Sequence, residues 1–113
     1  MNNTEVVNNT SKYIVKTTGI GSETNQELVD AEKLAEGTDG SKVSLIECYY
    51  LIEGTGILTI SAGDETLPLD GKGKYGLRPG QLKFGNDKIF NLTTDTNVKS
   101  YLLVTEFRRE TNG

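Results

Sequence analysis

The most regular pattern of apolar and polar positions in this chain lies in residues 43–60. β-Branched and aromatic residues fill two short runs, and Gly54-Thr55-Gly56 separates them. Such runs predict strands, and a short glycine-containing connection predicts a tight turn between them. We therefore predict that residues 43–60 form a β-hairpin.

The first run of this predicted hairpin has two different faces, because successive side chains of a strand point to opposite sides. One face is apolar or aromatic apart from Ser44, and the other places two carboxylates among large apolar groups. The first face holds Ile46, Cys48, Tyr50 and Ile52, and the second holds Val43, Leu45, Glu47, Tyr49, Leu51 and Glu53. The mixed face is interpreted either as covered by a loop or as a surface where Leu45, Tyr49 and Leu51 meet another subunit.

Short alternating runs and glycine-rich turns continue along the rest of the chain. Residues 98–107 are apolar on both faces, which predicts a strand in the interior of a sheet. Residues 26–30 predict a short strand followed by one helical turn, in preference to a marginal helix over 23–36. Pro68 confines its strand to a sheet edge or a bulge. Further strands are predicted at 13–17, 66–69 and 71–78, with another hairpin at 82–92 around Gly85-Asn86-Asp87 and a type II turn at Arg78-Pro79-Gly80-Gln81.

The composition agrees with a small sheet protein. The chain of 113 residues has 13 glycines, 2 prolines and 35% hydrophobic residues, which suits one domain with a thin core and many turns. The predicted fold class is all-β, an antiparallel β-sandwich or jelly roll in a single domain. The predicted organisation is a flexible polar N-terminal arm at 1–11, the sandwich domain at 12–108 and a tail at 109–113.

Charge and cysteine content exclude several classes of protein. The net charge of -4 predicts no nucleic-acid partner. The sequence contains no apolar run long enough for a signal peptide or a membrane span, so we expect synthesis in the cytosol and no membrane partner. The single cysteine, Cys48, lies on the apolar face of its strand and is expected to be a buried structural thiol.

Few residue patterns point to chemistry. The chain has no histidine, which removes histidine-based triads and histidine metal sites. Asp64, Glu65 and Asp70 are close in sequence, and we interpret them as solvated turn residues in preference to a Ca²⁺ site. Residues 71–76 match G-x-G-x-x-G, but the following Leu-Arg-Pro-Gly would break the helix that a nucleotide site needs. A catalytic carboxylate pair stays an open alternative, because sequence does not give the distance between carboxylates. We predict no cofactor.

Two features predict contacts with other proteins. Lys72, Lys74 and Arg78 surround Tyr75 and form a basic and aromatic cluster in this acidic chain. This cluster is interpreted either as a solvated turn or as a contact for an acidic partner surface. In the arm, Val6 and Val7 could add a short strand to the sheet edge of a neighbour.

Three segments of the sequence resemble small proteins encoded by tailed bacteriophages of aquatic bacteria, over about residues 13–107. The segments are CYYLIEGTGILTI at 48–60, GKYGLRPG at 73–80 and YLLVTEF at 101–107. The resemblance implies a non-enzymatic virion structural protein, a capsid decoration or cement protein, made in the bacterial host cytoplasm and then located in the virion. The implied partners are other virion proteins, the major capsid protein first, with a homo-oligomer or many copies on the particle. It implies no catalytic residues.

A second resemblance gives the alternative function. The segment GTGILTI at 54–60, with the later turn at 78–81, is similar to cupin-type jelly rolls. Cupins bind metal through histidines, which this chain lacks. The alternative is therefore a cupin-like β-barrel that binds a small ligand without a histidine metal site.

Overall fold

The fold is described by a computed structural model that covers residues 1–9, 11–34, 40–76 and 84–110. Within these ranges ten β-strands form two antiparallel sheets, which confirms the predicted all-β sandwich. The strands are β1 Asn2–Asn8, β2 Lys12–Ile20, β3 Gln26–Asp30, β4 Lys42–Gly54, β5 Leu58–Ala62, β6 Glu65–Leu69, β7 Lys72–Gly76, β8 Phe84–Asp87, β9 Ile89–Thr94 and β10 Val98–Glu110.

The two sheets have a nested order of strands. The large sheet has six strands in the order β1-β2-β10-β4-β7, and β8 also pairs with β4. The small sheet has the order β3-β9-β5-β6. Strands early in the sequence thus pair with strands late in the sequence: β2 pairs with β10, and β3 pairs with β9. The innermost pair in the sequence is the β5–β6 hairpin. A long hairpin wrapped over itself in this way is a jelly roll. The interior position predicted for residues 98–107 is confirmed, since β10 lies between β2 and β4.

The predicted hairpin at 43–60 is wrong. β4 belongs to the large sheet and β5 to the small sheet, so the Gly54-Thr55-Gly56 connection crosses from one sheet to the other. The same correction applies to 82–92, because β8 and β9 lie in different sheets and residues 85–87 are part of β8. Glycines in a connection indicate that the chain changes direction there. A change of direction occurs both in a hairpin and where the chain crosses from one sheet to the other.

Two smaller predictions are confirmed. A single 3₁₀ turn, Ala31–Lys33, follows β3, and the Asp30 carboxylate accepts a hydrogen bond from the Glu32 backbone N–H at 3.1 Å. β6, which contains Pro68, is an edge strand of the small sheet. The missing N–H of proline is tolerated there because an edge strand has one unpaired side.

Most of the segment predicted as a loose arm is a paired strand, β1, in the structure. β1 pairs antiparallel with β2, and the Thr17 hydroxyl donates a hydrogen bond to the amide oxygen of Asn3 at 2.7 Å. The polar composition of this segment predicted disorder. A strand at the edge of a sheet buries little of its surface, however, so polar side chains are tolerated there. Val6 and Val7 therefore lie within this chain's own sheet.

A single hydrophobic core fills the space between the sheets. Phe90 of the small sheet meets Phe107 of the large sheet edge to face, with ring centroids 5.0 Å apart. Cys48 is fully buried, as predicted. The rings of Tyr101 and Tyr50 lie over Gly19 and Gly73, the residues directly opposite them on β2 and β7. A glycine opposite a large ring leaves the space that the ring fills.

Candidate protein-binding face

A β-bulge decides which side chains of β4 reach the outside of the large sheet. Opposite β10, Glu106 pairs with Glu47 while Phe107 pairs with Leu45, so Ile46 is an extra residue on β4. An extra residue reverses the alternation of side chains beyond it. Leu45 therefore points into the core, and Glu47 points outward two residues later.

The bulge corrects the prediction for Leu45. Its side chain is fully buried, so it is a core residue and not a partner contact. Of the face predicted to be apolar, only Cys48, Tyr50 and Ile52 face the core, because they follow the bulge at Ile46. Sequence alternation alone could not show the bulge, because no glycine or proline marks its position at Ile46.

The outer face of the large sheet carries a stripe of apolar side chains across its central strands. Tyr49 is 48% exposed and Leu51 is 43% exposed. They lie opposite Val104 and Leu102 of β10. On β2 the stripe continues with Ile14, opposite Glu106, and with the exposed Ile20, opposite Ser100.

The outer face of the small sheet is mostly polar by contrast. Its outward side chains alternate with the buried apolar residues of β5 and β9. They are Thr59, Ser61, Thr66, Asn91 and Thr93, together with Glu27, Pro68 and the partly exposed Ile89. Polar outward faces are the usual arrangement in a β-sandwich, so the apolar stripe on the large sheet is the exception.

Lysines stand at both ends of the apolar stripe. Lys74 on β7 lies opposite Tyr49, with its ammonium 5.4 Å from the centre of the tyrosine ring. Lys72 lies opposite Leu51, and Lys16 lies opposite Val104. Four of the predicted contact residues, Lys72, Lys74, Tyr49 and Leu51, are thus brought together on one surface. An apolar centre with a charged rim is the usual layout of a protein interface.

The other predicted contact residues lie elsewhere. Tyr75 points inward opposite Cys48 and packs against the core, and burial raises its pKa; its prediction as a surface contact is corrected. Its side chain alternates with those of Lys72 and Lys74, which the sequence cluster had grouped with it. Arg78 lies outside the described residues. Val6 is exposed at a bulge in β1, and Val7 pairs with Ile14 beside the outer face.

Two carboxylates face each other at one end of the stripe. Glu47 and Glu106 are directly opposite on β4 and β10. With Tyr49, Ile14 and Val104 they line a surface depression of about 270 Å³. Glu47 is only 7% exposed although it points outward. The Tyr49 hydroxyl donates a hydrogen bond to the Glu47 carboxylate, and this bond is the main reason that the pKa of Tyr49 is raised.

Sequence reasoning missed Ile14, Leu102, Val104 and Glu106 as surface residues. The signal was present in 98–107, which is apolar on both faces. A sandwich covers only one face of each sheet, so the second apolar face of an interior strand lies at the surface of the domain.

The remaining motifs form no site in the described residues. No group of three or more acidic or cysteine side chains is arranged to hold a metal ion across the described ranges, and this includes Asp64, Glu65 and Asp70. The glycines at 71–76 belong mainly to β7, a strand, where a dinucleotide fingerprint would start a helix. No helix in the part of the chain that the structure describes is long and apolar enough to cross a membrane.

Comparison with known proteins adds no relative. The sequence matches no protein-family model, no curated protein and no solved structure.

Proposed function

We propose that this domain is a non-enzymatic structural protein that attaches to a larger protein assembly through the outer face of its large sheet. One observation carries the proposal: the large sheet has an apolar outer stripe with a lysine rim, whereas the outer face of the small sheet is mostly polar. Exposed Tyr49 and Leu51 keep apolar area in water, which is unfavourable unless a partner covers it.

The proposed assembly is a phage virion, with the domain as a decoration or cement protein on the major capsid protein. This part of the proposal rests on the resemblance of segments 48–60, 73–80 and 101–107 to small phage proteins. The lysine rim suits an acidic partner surface, because opposite charges at an interface rim guide association and orientation. Location in the virion, after synthesis in the host cytoplasm, follows from the same proposal.

A small-ligand barrel is less well supported by the packing. The jelly-roll order of strands agrees with the cupin resemblance in shape. Between the sheets, however, fully buried side chains such as Phe90, Phe107 and Leu103 occupy the space where a barrel would hold a ligand. The chain also has no histidine, the residue through which cupins bind their metal.

The proposal is tested by particle binding. Purified phage particles that lack this protein are mixed with the purified domain, separated on a density gradient and analysed by quantitative mass spectrometry. We expect many copies of the parent domain per particle. Replacing Tyr49→Ser and Leu51→Ser together removes the centre of the stripe and should lower the affinity about tenfold or more.

The matched control is Ile57→Ser. Ile57 is 44% exposed, close to the value for Leu51, but it lies in the connection between β4 and β5 and not on the outer face. This variant should bind like the parent. If the domain is absent from native particles, the virion role is wrong; if the double variant binds as well as the parent, attachment uses a different surface.

A further inference from the structure

We propose that the depression between Glu47 and Glu106 is a binding site for an arginine side chain of the partner protein. The inference rests on the proposed function and gives the chemistry of one contact in that interface. It starts from two carboxylates that β4 and β10 hold directly opposite each other. Like charges in directly opposite positions destabilise a sheet.

Glu47 has only part of the compensation that a buried carboxylate needs, because the Tyr49 hydroxyl donates to its carboxylate but one carboxylate oxygen is left over. Glu47 is more than nine-tenths buried, and its Oε1 atom has no hydrogen-bond partner in the described residues. No ion pair joins Glu47 or Glu106 to another residue of the described ranges. Buried polar atoms in folded proteins are almost always paired, so an unpaired carboxylate oxygen in a surface depression indicates a missing cationic partner.

The backbone is built to place Glu47 there. In a regular strand with Ile46 paired, Glu47 would share the core-facing side of β4 with Leu45, because residues two apart point to the same side. The bulge turns it outward, beside Glu106. Bulges that re-aim one side chain are common next to functional sites. The bulge is matched on the next strand by Gly76, where any side chain would collide with the Ile46 carbonyl oxygen.

The lining of the depression favours a guanidinium group over a metal ion. Two carboxylates and one tyrosine hydroxyl supply fewer oxygens than Ca²⁺ requires. A planar guanidinium bonds two carboxylate oxygens at once, which an ammonium does not reproduce. The apolar walls, Ile14 and Val104, suit the methylene stem of an arginine. The position next to Tyr49 makes the site continuous with the apolar stripe.

The test is an NMR titration of the isolated full chain with N-acetyl-arginine methylamide as the probe. We expect saturable shifts of the Ile14, Tyr49 and Val104 amide signals. Glu47→Gln and Glu106→Gln should each weaken binding about tenfold, the effect of losing a charge-assisted hydrogen bond. Glu53→Gln is the control, because Glu53 is an exposed carboxylate on the same face and strand but outside the depression, and it should not change binding.

Three outcomes would overturn the proposal. These are absence of saturable shifts, equal binding of N-acetyl-lysine methylamide, and tighter binding of Ca²⁺ at the same amides. If Glu47→Gln fails to fold, the half-buried Glu106→Gln variant still decides the result. The titration does not use particles, so a failure of the arginine site and a failure of the virion role are separate results.

Discussion

At the scale of single residues, burial controls the ionisation of two groups in the core. Burial is the main reason that the pKa of Cys48 is raised from 9.0 to about 12 and that of Tyr101 from 10.0 to about 12. Both groups hold their protons more strongly in the folded chain than in the unfolded one. Their stabilising contribution is therefore complete below pH 9 and is lost as the pH rises toward 12.

We predict that the urea midpoint of unfolding is steady from pH 7 to about pH 9 and falls at higher pH. In the Cys48→Ala variant the fall should begin about one pH unit later, because only tyrosines then contribute. Circular dichroism at each pH measures the midpoint. An identical onset in parent and variant would contradict the assignment to Cys48.

At the scale of strands, the bulge in β4 depends on one glycine of β7. Gly76 has a φ of +96°, and a side chain there would meet the Ile46 carbonyl oxygen. Gly76→Ala therefore combines left-handed strain with displacement of the bulge. We predict a loss of about 2 kcal/mol or more in the free energy of unfolding, measured by urea denaturation.

The control for this prediction is Gly71→Ala. Gly71 also has a positive φ, +66°, but no atom lies within 4 Å of the position of an added side chain. This variant should show the strain alone, about 1–2 kcal/mol. If both variants lose the same stability, the close approach to the bulge has no energetic importance.

The same bulge shows where sequence reasoning works and where it stops. Alternation identified most of β4 and the interior position of β10, because each depends on the side chains of one strand. It placed Glu47 correctly beside Tyr49, but it could not place Leu45 or Tyr75 on the correct face. Those positions depend on an unpaired residue at Ile46 and on how β7 lies beside β4, and neither leaves a mark in the local pattern.

At the scale of the whole molecule, the local pattern could not choose between a hairpin and a sheet crossing after Gly54. The choice is decided by β10, which takes the place beside β4 that β5 would hold in a hairpin. The outer face depends on the same global order, because strands distant in sequence bring Ile14, Val104 and Tyr49 together. Tyr49 and Leu51 could be predicted to share a face from β4 alone, and they are exposed on it, whereas the position of Glu106 beside them could not be predicted.

The nested order of strands also sets when the protein can fold during synthesis on the ribosome. β2 is synthesised early, but β10, which pairs with β2 and lies at the centre of the large sheet, is synthesised only with residues 98–110. Pairings between such distant segments form slowly, because a long loop must close first. Nascent chains that stop before β10 should be digested readily by protease, and those with β10 outside the exit tunnel should resist. Equal resistance without β10 would show that the other strands form a stable sheet before it arrives.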